Sequence, residues 1–165
     1  MLGLPGSDPA TYDTVTAALP DHPWVHFACH GANNPVEPSA SSLLLADYQR
    51  RPLTVLELTR ARLPSVELAF LSACTTARTG GELLDEPIHL AAACQLAGYR
   101  HVVATLWPIG DADTAELTKN FYTTLPTAQT ALTGPAVALH SATRALRDRN
   151  PDAPSRWAPY THIGP

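Results

Sequence analysis

Apolar residues gather in short dense runs separated by polar, Pro-rich or Gly-rich stretches. Three runs, 24–29 (WVHFAC), 66–72 (VELAFLS) and 101–106 (HVVATL), are nearly continuous. That is the pattern of strands covered on both faces, not of strands with one wet side. Between and after them, 86–96 reads as a helix with apolar positions on most sides, and 112–125 and 134–149 as two more, the last opened by Gly134-Pro135. Asp8-Pro9-Ala10 reads as a cap with Pro in the first turn, opening a helix to about Leu19 that Pro20 stops. Thr54-Val55-Leu56-Glu57 matches a capping box and predicts a helix to about Arg62. Gly98 is placed to end the helix at 86–96, and Asp111 to cap the one at 112–125. Short apolar segments at 43–46 and around Leu53 predict a small hairpin, and the tail WAPYTHIGP a final strand.

Buried strands alternating with helices predict an α/β layered domain around a mostly parallel sheet. At 165 residues the chain is expected to form one domain, 1–165, and it has no internal repeat. In such sheets, sites form outside the carboxyl ends of the strands. Two chemistry-bearing residues fall there: His30, after the first run, and Cys74, after the second. If those strands are neighbours, about 5 Å apart, both side chains can reach one crevice.

Charge and composition narrow the alternatives. The formal net charge is −4, and the arginines cluster only at 50–51, 60–62 and 144–149, so no nucleic-acid footprint is expected. No apolar stretch approaches a membrane span, and the first residues lack the basic and apolar regions of a signal peptide. A cytoplasmic protein is expected, with no membrane or nucleic-acid partner. Three cysteines without C-x-x-C spacing argue against a disulfide framework and a structural zinc site.

A thiolate assisted by an imidazole is a sufficient nucleophilic pair for acyl transfer. Cys74 and His30 are therefore the candidate catalytic residues, with the backbone N–H groups of Gly31 and Cys74 as candidate oxyanion donors. His26 and His30 would lie roughly 13 Å apart on one strand, too far to share a metal ion, so His26 is expected to be structural or to support the site. Cys29 and Cys94 read as core residues. The loop TTARTGGELLDE follows Cys74 and is placed to line a groove. Asp85 and Glu86 either favour the next helix N-terminus or select a basic or polar substrate side chain. Trp107 and Asp111, beyond the third strand, are candidate walls of the crevice, while Asp47 is recommended by position alone and Trp157 reads as core. A flavodoxin-like anion site around the Gly-rich loop is the weakest reading, because no phosphate-binding fingerprint is present.

HFACHG, LSACTT, HVVATLWPIGD and WAPYTHIG, in this order over nearly the whole chain, resemble the CHAT domain. This is a caspase-like cysteine peptidase family of the clan that includes caspases and separases. DEPIHLAAACQLAGYRHVVATLWPI looks most like its bacterial members. The resemblance implies a caspase-like three-layer α/β sandwich, with His30 matching the family's catalytic histidine and Cys74 its nucleophile. It implies a cysteine endopeptidase with a protein or peptide substrate, no metal and no cofactor, in regulated bacterial signalling or defence. Domains of this kind carry an additional strand and helix upstream of the segment matching LPGSDPATYDTV. The expectation is thus a sheet lacking its first strand or strands, with an open edge for a partner chain or a missing N-terminal segment. The alternative is a catalytically inactive caspase-like protein-interaction module.

Overall fold

A computed structural model describes residues 1–32, 34, 36–72, 86–125 and 134–165. The first half runs α1 (Tyr12–Ala18), β1 (Trp24–Phe27), β2 (His30–Ala32), β3 (Ser42–Leu44), β4 (Leu53–Thr54), α2 (Val55–Arg60) and β5 (Leu68–Leu71). The second runs α3 (Glu86–Ala97), β6 (His101–Thr105), α4 (Asp111–Thr124), α5 (Gly134–Arg149), α6 (Pro154–Trp157) and β7 (Tyr160–Ile163). The three dense apolar runs lie in one sheet, ordered β1-β5-β6-β7: β5 and β6 are inner strands, whereas β1 is at the edge with only Phe27 buried, so the first run is not the strand covered on both faces that its pattern predicts. β1, β5 and β6 are parallel, and β7 returns antiparallel on β6. A second, antiparallel sheet, β2-β3-β4, comes from the hairpin region.

Alternation along each strand sends neighbouring side chains to opposite faces. Ala69, Leu71, Val102 and Ala104 pack with Leu90, Ala91, Cys94 and Ala97 of α3, Leu58 of α2 and Val15 of α1. Leu68, Phe70 and Val103 pack instead with Leu117 and Phe121 of α4 and Ala138, Leu139, Ala142 and Leu146 of α5. Helices thus cover both faces, giving a three-layer α/β sandwich with a mostly parallel sheet. Every residue of β5 and β6 is buried, which is why those runs lack polar alternation.

Local signals explain most boundaries. Thr54 and Glu57 do form a capping box: Thr54 Oγ1 accepts from the Glu57 N–H, and the Glu57 carboxylate accepts from the Thr54 N–H. Gly98 has φ +124°, and a Cβ there would stand 2.3 Å from the Leu63 carbonyl oxygen, so only glycine fits. The first helix departs from expectation. It starts at Tyr12 with Thr11 as cap, because Thr11 and Thr14 exchange a reciprocal pair of side-chain hydrogen bonds that Asp8 and Pro9 do not supply. Asp111 is the first residue of α4, with Gly110 in the cap position, so the aspartate favours the helix by charge and not as its cap. The run at 24–29 also breaks after Phe27, and His30 enters the second sheet.

Candidate active site

β1 and β5 run parallel in a register that sets Trp24 opposite Leu68 and Phe27 opposite Leu71, so both chains leave the sheet at the same edge. The ladder closes there with the Ser72 N–H donating to the Phe27 carbonyl at 3.0 Å. Just beyond, His30 opens β2 opposite Leu44, and its side chain is exposed while Gly31 behind it is buried opposite Leu43. The small sheet therefore anchors the His30 backbone and leaves the imidazole accessible. Cys74 lies outside the described residues, three positions past Leu71, as His30 lies three past Phe27.

His26 is not a free imidazole. Its ring packs on Phe70 at 4.7 Å and Tyr122 at 5.7 Å between centroids, and its Nε2 lies 2.8 Å from Ser72 Oγ. Burial holds its pKa below the ordinary histidine value, so it is neutral at pH 7. The two described thiols are poor nucleophiles. Burial pushes Cys29 up to about 11, against an opposing hydrogen bond with the Leu44 backbone, and pushes the fully buried Cys94 up to about 12. Both are core residues, as their sequence settings imply.

At the carboxyl end of β6, Trp107 is half-buried and its indole N–H donates to the Ser155 carbonyl at 3.0 Å. Asp111 is exposed in the first turn of α4. Both stand at the same end of the sheet as His30. The neighbouring Asp113 is buried, and Arg156 forks onto its two carboxylate oxygens while also donating to Asn150 Oδ1. The Arg156 guanidinium holds the Asp113 carboxyl below its usual pKa. This clamp and the Trp107 hydrogen bond tie the segment after β6 to α6. Asp113 was legible in principle, because 113, 117 and 121 form one helical stripe whose other members are Leu117 and Phe121. Ser72 left a weaker trace, a polar residue closing an apolar run.

Other expectations resolve differently. Asp47 Oδ1 accepts from the Tyr12 N–H at 2.8 Å, so this carboxylate caps the start of α1. Trp157 is partly buried against the α4–α5 core, and its indole donates to the Asn150 carbonyl. Residues 75–85 of the loop TTARTGGELLDE, Asp85 among them, lie outside the described residues, and Glu86 is the first residue of α3, its side chain outside the described part. Among the described residues no group of three or more His, Cys, Asp or Glu could hold a metal ion, and no helix is long and apolar enough to cross a membrane. An open cavity of about 340 Å³ lies between α1 and α2, lined by Tyr12, Leu19, Leu53, Glu57 and Leu58 among others.

A sheet of parallel strands between two helical layers, with an exposed histidine just past the carboxyl end of one strand, belongs with the caspase-like, peptidase-related class of domains. Residues 5–165 match the CHAT domain, and the chain belongs to that family. A search of curated proteins found no match.

Proposed function

We propose that the protein is a cysteine endopeptidase that uses a Cys74/His30 dyad. The observation that carries this is the parallel β1–β5 pair, which places an exposed His30 at the end of the sheet where β5 also finishes, three residues before Cys74 in the chain. Cys74 Sγ attacks the scissile carbonyl carbon, and the oxyanion is held by the N–H groups of Gly31 and Cys74. Collapse of the tetrahedral adduct breaks the C–N bond, with the imidazolium of His30 giving its proton to the leaving amine. Water, deprotonated by His30, then attacks the thioester, releasing the new carboxylate and restoring the thiol. The chemistry needs no metal and no organic cofactor. Trp107 and Asp111 wall the substrate groove, and Asp85 and Glu86 favour a basic or polar substrate side chain. The substrate is a protein or peptide, and the setting is regulated bacterial signalling or defence in the cytoplasm, where the thiol stays reduced.

A second reading, an inactive interaction module, is favoured by the β1 edge. The carbonyls of Pro23 and Phe27 accept from β5. By alternation the N–H and C=O groups of Trp24, His26 and Ala28 turn to the opposite edge, where no strand pairs among the described residues. Trp24 is 50% exposed on a strand without a charged residue, so a partner chain or a further N-terminal segment fits this edge.

Thiol alkylation against pH decides between the readings, using wild type, Cys74→Ala and His30→Ala with the labelled residue identified by mass spectrometry. The dyad predicts fast labelling of Cys74 with an apparent pKa well below the usual thiol value of roughly 8.5, rising when His30 is removed. Labelling at the ordinary thiol pKa, indifferent to His30, would favour the interaction module.

A further inference from the structure

We infer that His26 is a positioning residue for this site, acting through Ser72 to fix where the chain leaves β5. The inference rests on the reading of Cys74 as the nucleophile. Ser72 is tied to β1 twice: its N–H donates to the Phe27 carbonyl at 3.0 Å, and its hydroxyl lies 2.8 Å from His26 Nε2. The backbone bond alone leaves Ser72 free to turn its side chain; the second bond removes that freedom and adds a second point at which Ser72 is held to β1. His26 is itself held by a stack of rings. Phe70, fully buried, meets it at 4.7 Å, Tyr122 at 5.7 Å, and Phe121 backs Phe70 at 5.0 Å. The rigid face of α4 is thereby connected to the last residue of the β5 ladder.

Packing alone does not call for these residue types. An apolar pair of the same size at 26 and 72 would fill the space with no buried polar atoms to satisfy, and replacing both partners of a buried hydrogen bond in this way is often nearly neutral for stability. What an imidazole–hydroxyl bond adds is direction, because it holds only over a narrow range of distance and angle. Ser72 stands two residues before Cys74 in the chain, so where Ser72 is held sets the point from which the segment to Cys74 starts. Nucleophilic catalysis is sensitive at that scale, since a misplacement of about 1 Å can cost on the order of a hundredfold in rate. The hydrogen bond also removes His26 from contention as an alternative base and leaves His30 as the accessible imidazole.

The test is the pH profile of Cys74 alkylation by iodoacetamide in wild type, His30→Ala, Ser72→Ala, His26→Gln, His26→Leu and the His26→Leu/Ser72→Ala pair, with global stability measured alongside. Ser72→Ala, a small change that preserves the fold, is expected to slow Cys74 labelling at pH 7 about tenfold, a coupling of the size seen between residues in one hydrogen-bonded network. Its apparent thiol pKa should move toward the ordinary value. His26→Leu should do the same, the double variant should be no slower than either single one, and His26→Gln, whose amide reaches the same point, should retain most of the wild-type rate. A merely structural role would lower stability in these variants and leave the thiol profile of the folded protein unchanged. If wild type depends on His30 while Ser72→Ala keeps the wild-type profile, the positioning role is overturned and the dyad stands. If Cys74 in wild type titrates as an ordinary thiol and ignores His30, both fall together.

Discussion

Burial sets the chemical character of individual side chains in this domain. It pushes the Cys29 thiol up to about 11 and that of Cys94 to about 12. At pH 8 both are almost wholly protonated, so each should alkylate at least about a hundredfold more slowly in the folded protein than an ordinary thiol, which has a pKa of roughly 8.5. Peptide mapping after timed iodoacetamide exposure, native against denatured, measures this directly. Phe70 shows the same dependence on surroundings in the core. It is fully buried and meets the rings of His26, Phe121 and Tyr122. Phe70→Ala should destabilise the protein by about 3–5 kcal/mol, read from urea denaturation, because the cavity would lie beneath both α4 and the site.

At the scale of elements, the ends of helices carry the clearest sequence information. The Thr54/Glu57 box satisfies donors at the start of a helix of only six residues, where each lost bond is a large fraction of the whole. Thr54→Ala is expected to cost about 1 kcal/mol in denaturant unfolding. Gly98 ends α3 in a conformation an L side chain rarely adopts, and its missing Cβ makes room for the Leu63 carbonyl. Gly98→Ala should therefore destabilise by more than about 1 kcal/mol in the same assay, the opposite of the usual gain on replacing glycine. The first helix shows how local chemistry misleads. Asp8-Pro9 has the composition of a helix start, but the Thr11/Thr14 exchange and the distant Asp47 carboxylate together satisfy the donors one turn later. Asp47 is 35 residues away from Tyr12 in sequence, a contact that no local pattern encodes.

Across the whole molecule, buried histidines couple stability to pH. Burial lowers the pKa of His26, and burial together with the neighbouring His101 lowers that of His162, whose Nε2 lies 3.0 Å from His101 Nδ1. Above the unfolded value of about 6.5 these two rings are neutral in both states and stability is undiminished by them. As pH falls through 6.5 the unfolded chain takes up protons that the native state resists, so stability declines until the lowered native values are reached. Unfolding free energy should thus fall between pH 7.5 and 5.5, and the fall should be shallower in His162→Gln. Asp113 acts in a separate window, because Arg156 lowers its pKa and its contribution is lost only below the ordinary carboxylate range.

The sequence alone determined the positions of β1, β5 and β6, the full burial of the last two, the helices between them and the end of the sheet where His30 stands. Hydrophobic periodicity and capping chemistry are local, and a short continuous apolar run bounded by turn residues reads as a strand by its length and flanks. The motifs HFACHG and LSACTT also marked the family in which the chain belongs. Tertiary structure decided the rest. It ended the run at 24–29 after Phe27 and gave His30 to β2, because His30 pairs with Leu44 in a second sheet. It also turned His26 into a partner of Ser72, Asp47 into a cap for α1, and Asp113 into the anchor of Arg156. Each of these last three contacts joins residues 35 or more positions apart, where no local spacing constrains the pair. Only packing the strands and helices together creates the distances at which such polar groups must find one another once water is gone.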